Sequence, residues 1–158
     1  MLNEPQIKKM LSKLNRFANR IEPHIFEKKD ELTGVEFFHT DKQLHAIPDT
    51  GFTPAEKGMK WSGESTYCWF KSTYTVPAEL DGKTLFVMPH IGGYEALLWV
   101  DGIPFGTFAT KIVYTAHGNH YCDMIKSNAS AGSKIEVALE YYAGHLYPGC
   151  MPDETYPI

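Results

Sequence analysis

The sequence predicts a mainly β protein, an antiparallel β-sandwich preceded by an amphipathic helical segment. Helical periodicity is confined to residues 3–29. From Trp61 onward, short stretches alternate apolar and polar residues, with turn residues between them and no helical pattern intervening. One stretch runs into Asp101-Gly102, a pair that tolerates the positive φ of a tight hairpin turn, and returns through Phe105 toward Gly106. With 158 residues, 43% of them hydrophobic, the chain can bury one sizeable core.

The helical arm is expected over residues 1–31. Ile7, Met10, Leu11, Leu14, Phe17, Ala18, Ile21 and Ile25 recur at steps of three and four and form one apolar stripe. Asn3 is placed to cap the helix, with Gln6 three residues on and Pro5 in the first turn, where its missing N–H costs nothing. Pro23 should end this helix near Glu22, with a short second helix over 23–31. So wide a stripe needs a docking surface, on the sandwich, a neighbouring domain or another subunit.

Residues 32–62 lose periodicity, and Pro48, Pro54, Gly51 and Gly58 interrupt them, which predicts an irregular connection packed on the sandwich. Phe37, Phe38, Phe52 and Trp61 are too costly to leave in water for a disordered linker. The sandwich is expected over 63–147, with strands at 65–76, 84–89, 95–101, 103–109, 111–115, 119–125 and 134–142. In the first strand Cys68, Phe70, Tyr74 and Val76 share the core face, leaving Trp69 on the other face in need of separate cover. In the last, Ile135, Val137, Leu139 and Tyr141 point inward. Residues 148–158, with Pro148, Gly149 and Pro152, read as the start of a linker to a further domain.

Fifteen Lys and Arg against 19 Asp and Glu give a formal net charge of −4 with no long block of either sign, which argues against a nucleic-acid partner. No apolar block near the N-terminus is long enough for a signal-peptide core or a membrane span, so the expected compartment is the cytoplasm, with no membrane partner. Cys68, Cys122 and Cys150 fit neither a disulfide framework nor a CxxC pair and are expected to be reduced.

Reactive chemistry is sparse. Glycoside hydrolysis needs two carboxyl groups roughly 5 to 10 Å apart. The sandwich offers Glu64, Glu95, Asp101 and Asp123, but Asp101 is committed to a turn and Glu95 heads a strand, so no catalytic residue is assigned. His117, His120 and Cys122 carry zinc-compatible donors at an uncharacteristic spacing, and closure would need His90 or His145. Solvated histidines are the simpler reading, and no metal site is assigned. There is no phosphate-binding glycine loop ahead of a helix and no GxSxG elbow. Aromatic residues are 13% of the chain, and Trp61, Tyr67, Trp69, Tyr94 and Trp99 could form a saccharide platform or serve as core filler. Trp61, Tyr94 and Glu95, around the Gly92-Gly93 turn, are the candidate carbohydrate contacts.

Several motifs occur in order: Trp61 with Gly63; Tyr67 with Trp69-Phe70; Val76-Pro77-Ala78-Glu79-Leu80-Asp81-Gly82-Lys83; Gly92-Gly93-Tyr94-Glu95-Ala96-Leu97-Leu98-Trp99-Val100-Asp101-Gly102-Ile103-Pro104-Phe105-Gly106; and Tyr142-Ala143-Gly144. Together they resemble the N-terminal β-sandwich of bacterial cytosolic-type α-mannosidases of glycoside hydrolase family 38. Tyr94, between the second glycine and the glutamate, and the segment Thr107 to Cys122 depart from the family pattern. The resemblance implies a non-catalytic domain that scaffolds a downstream catalytic barrel and frames its substrate entrance or subunit contacts. It implies no cofactor in this segment, and places the zinc, the nucleophile and the acid/base of a retaining mechanism in that barrel. The implied partners are the downstream domain, another subunit through the helix, and oligosaccharide. The Asp-Gly hairpin also resembles galactose-binding-like jelly rolls, which serve other glycosidases as carbohydrate-binding modules.

Overall fold

The computed structural model describes residues 2–61, 63, 65–91, 95–109, 122–143 and 156–157. The chain divides into two units, Met1–Glu31 and Leu32–Ile158. In the first, α1 (Glu4–Ile21) starts as the sequence indicates. The Gln6 amide donates to Asn3 Oδ1 and the Asn3 amide donates to Gln6 Oε1, each at 3.0 Å, a reciprocal cap that satisfies two otherwise orphaned donors. Glu4 in the first turn and Arg20 in the last complement the helix dipole. The expected second helix over 23–31 does not form. Only a single 3₁₀ turn, Glu22–His24, follows, because Glu27-Lys28-Lys29-Asp30-Glu31 offers charges and no continuing apolar stripe.

The second unit is mainly antiparallel β. Its strands are β1 (Glu36–Thr40), β2 (Thr53–Pro54), β3 (Lys60–Trp61), β4 (Thr66–Thr75), β5 (Leu85–Val87), β6 (Glu95–Val100), β7 (Ile103–Ala109), β8 (Asp123–Lys126), β9 (Lys134–Ala143) and β10 (Tyr156–Pro157). Six of them form one sheet in the order β2-β1-β4-β9-β6-β7, while β5 pairs with β8 and β3 with β10. The expectation of an irregular connection at 32–62 is corrected here: β1, β2 and β3 lie inside it. Phe37 and Phe38 sit in β1 because its five residues pair with β4, extending the sheet by one strand. The strand expected at 84–89 is shortened to Leu85–Val87; of that expected at 119–125, the described residues show Asp123–Lys126, while 119–121 and 111–115 lie outside the described residues.

The core lies between the inner face of the six-stranded sheet and β5, β8 and the turns beside them. Cys68 and Phe70 from β4, Leu98 from β6, Phe108 from β7 and Ile135, Val137, Leu139 and Tyr141 from β9 meet Val87, Ile125, Leu80 and Ala129. The alternation read from the sequence assigns Cys68, Phe70 and Val76 of the first strand and Ile135, Val137, Leu139 and Tyr141 of the last to this core correctly. The Asp101-Gly102 hairpin turn adopts φ of 50° and 76°, and Asp101 ties it to β9: its Oδ1 accepts from the Glu136 amide and its own amide donates to the Glu136 carbonyl, both at 2.9 Å.

Trp69 does receive separate cover. On the outer face of the sheet it packs with Trp99, ring centroids 5.6 Å apart, the two meeting above the small Ala138 of β9. Phe38, Leu44, Ile47 and Phe52 close over them, so the loop between β1 and β2 builds a second, smaller core. Gly51 turns this loop at φ of 89°, and a Cβ there would stand 2.9 Å from the Phe38 ring.

Candidate functional site

The outer face is ordered by strand register. One row across β1, β4, β9 and β6 reads Thr40, Tyr67, Tyr142, Glu95, and the next reads Phe38, Trp69, Glu140, Leu97. Tyr67 and Tyr142 are directly opposite each other, their ring centroids 5.0 Å apart and tilted by 40°. Both are half-buried, whereas Cys68 and Tyr141, their neighbours on the inner face, are fully buried.

Glu140 is the unusual group on this face. Strand alternation assigns it outward, yet it is only 9% exposed, and its Oε1 has no hydrogen-bond partner among the described residues. Burial pushes its carboxyl up to about 6, because the charged form loses solvation without gaining a donor. The Tyr67 phenol is also raised, by burial first and then by the neighbouring Tyr142 and Glu140. Trp69 Nε1 and Trp99 Nε1 are likewise enclosed without an acceptor among the described residues.

The residues singled out in the sequence are not all brought together. Trp61, on β3, is buried in the core with its ring edge-on to Phe70 and Tyr141 at 6.4 and 6.3 Å. Glu95 heads β6 on the opposite, outer face, exposed and across from Tyr142. Tyr94, Gly92 and Gly93 lie outside the described residues, as do Glu64, His117 and His120. Cys122 is described and half-buried, its thiol raised by burial and then by Asp123. Among the described residues no three His, Cys, Asp or Glu side chains are grouped to hold a metal ion.

Among the carboxylates singled out in the sequence, Glu95 and Asp101 do not form a catalytic pair. Glu95 and Asp101 stand at opposite ends of one strand, roughly 20 Å apart at the usual rise per residue, too far to flank one glycosidic bond. Asp123 caps its own strand, accepting from the Met124 amide at 2.8 Å. Cys68 is buried with its thiol pushed up to about 12, which removes the thiolate a nucleophile needs. A shallow cavity of about 360 Å³ lies at the other end of the outer face, lined by Thr33, Glu36, Lys71, Ser72, Thr73 and Glu136 among others. Its cation is engaged: Lys71 Nζ lies 3.9 Å from Glu36 Oε2 and 4.0 Å from the centre of the Phe52 ring.

Glu140 and Tyr142 were missed in the sequence because alternation marks both simply as outward. The signal that finds them is cross-strand register, which sets Tyr142 beside Tyr67 and Glu140 beside Trp69. No helix among the described residues is long and apolar enough to cross a membrane.

No family model matches the chain, and no curated protein matches it. Among solved structures it is similar to a β-glucuronidase from Ruminococcus gnavus. The complex of that enzyme with uronic isofagomine gives a TM-score of 0.50 at 10% identity, covering 76% of this chain and 23% of that one. Its complex with D-glucaro 1,5-lactone gives 0.50 at 11% identity with the same coverage. The chain thus spans about a quarter of the length of the enzyme it matches, and what the two share is the fold of a β domain.

Proposed function

We propose that this chain is the non-catalytic N-terminal β-sandwich of an α-mannosidase of glycoside hydrolase family 38, scaffolding the catalytic domain and framing its substrate entrance. The observation that carries the reading is the ordered set of motifs from Trp61 to Gly144, whose Asp101-Gly102 element forms the expected hairpin in the structure. Zinc and the acid/base and nucleophile then belong to the downstream domain, and the location is cytoplasmic.

A second reading, a galactose-binding-like module of another glycosidase, is favoured by the fold shared with part of a β-glucuronidase. The coding sequence beyond the codon for Ile158 separates the two. A family 38 catalytic domain there supports the mannosidase reading, and a catalytic domain of another glycosidase family overturns it in favour of the second.

A further inference from the structure

We infer that the row Thr40, Tyr67, Tyr142, Glu95, backed by Glu140, is a binding face for a neutral saccharide. The choice of ligand class rests on the glycosidase reading above, whereas the face itself follows from strand register. Four residues on four adjacent strands span roughly 14 Å at the usual strand spacing, enough for a short oligosaccharide lying across the strands. The centre of the row is two tyrosine rings 5.0 Å apart. Neither ring belongs to the main core or to the smaller cluster around Trp69 and Trp99, although residues on the same strands build both. Such rings offer an apolar floor for the C–H face of a sugar, and their phenol oxygens add donors and acceptors at its edge.

The second observation is polar. Glu140, in the row behind, is more than nine-tenths buried, and its Oε1 lacks a hydrogen-bond partner among the described residues. A buried acceptor without a donor is costly, and a ligand rich in hydroxyl donors relieves that cost where an apolar ligand does not. Charge narrows the class further. The buried carboxyl of Glu140 has no salt-bridge partner among the described residues, and Lys71 on these strands is engaged by Glu36 and Phe52. An anionic sugar such as a uronate would meet like charge, whereas a neutral sugar would not. This places the saccharide contact on the outer face at Tyr67 and Tyr142, retaining Glu95 and excluding the buried Trp61.

The experiment is a titration of the isolated chain with mannobiose, cellobiose and glucuronate, followed by amide shifts in NMR. Saturable shifts are expected on β4, β6 and β9 with at least one neutral disaccharide in the millimolar range, with glucuronate binding about tenfold more weakly or not at all. Tyr67→Ala and Tyr142→Ala should each weaken the neutral sugar about tenfold with the native spectral dispersion retained. Should those variants lose dispersion, the Tyr67→Phe, Tyr142→Phe double variant keeps both rings and is expected to bind several-fold more weakly through loss of the hydroxyls. No saturable shift at high-millimolar sugar, tighter binding of glucuronate, or affinity unchanged in the tyrosine variants would overturn the inference. None of these outcomes touches the proposed function, which is tested by the identity of the downstream domain.

Discussion

At the scale of single residues the fold depends on a few polar groups in exacting positions. Asp101 combines a left-handed backbone with an acceptor for the Glu136 amide. Asp101→Asn preserves both and should change stability by less than about 0.5 kcal/mol, while Asp101→Ala loses both and should cost about 1–2 kcal/mol in denaturant unfolding. Tyr141 presents the opposite case. Its hydroxyl is buried without a hydrogen-bond partner among the described residues, and burial raises its proton affinity. Tyr141→Phe removes an unsatisfied group at constant shape, so the melting temperature should stay level or rise. Glu140 links stability to pH. Burial raises its carboxyl from the ordinary 4.5 to about 6, so the folded protein holds this proton more tightly than the unfolded chain. Its unfavourable contribution is absent below the unfolded value, develops as pH rises between the two, and is complete above about 6. Glu140→Gln should therefore stabilise the protein at pH 7 by on the order of 1 kcal/mol, with the gain over wild type vanishing near pH 4; an equal gain at both pH values would contradict the assignment.

Among the elements, legibility in the sequence followed how local the determinant is. The cap of α1 is written in Asn3, Pro5 and Gln6 and appears as read, and Asn3→Ala should cost about 1 kcal/mol, seen as faster amide exchange over the first turn. The inward faces of β4 and β9 follow from alternation alone. By contrast, β1 is a strand because β4 lies beside it; Glu-Phe-Phe-His-Thr does not alternate, and the glycines and prolines around it mask it. The smaller core over Trp69 was half legible. The need for cover follows from Trp69 itself, but the covering residues Leu44, Ile47 and Phe52 sit in a stretch without periodicity. That loop depends on Gly51, where a side chain would meet both a positive φ and the Phe38 ring. Gly51→Ala is expected to cost about 1–3 kcal/mol, with near-ultraviolet circular dichroism reporting loosened packing of the two tryptophans. Burial of Glu140 and the pairing of Tyr67 with Tyr142 were not legible, because both arise from register between strands distant in sequence.

For the whole molecule, the two faces of one sheet divide the work. The inner face builds the main core, and the outer face is part covered by the molecule's own loop and part left as an aromatic and acidic surface. In the first unit, the helix carries its apolar residues as one stripe. The central claim is that this chain serves a glycosidase without performing the hydrolysis. It is tested most directly by assaying an aryl α-mannoside, with and without zinc, on the isolated chain and on the product of the complete reading frame. On the proposed function, zinc-dependent release of the aryl alcohol is expected from the product of the complete reading frame and none from the isolated chain. Turnover by the isolated chain that survives purification and is lost in Glu95→Gln would contradict it.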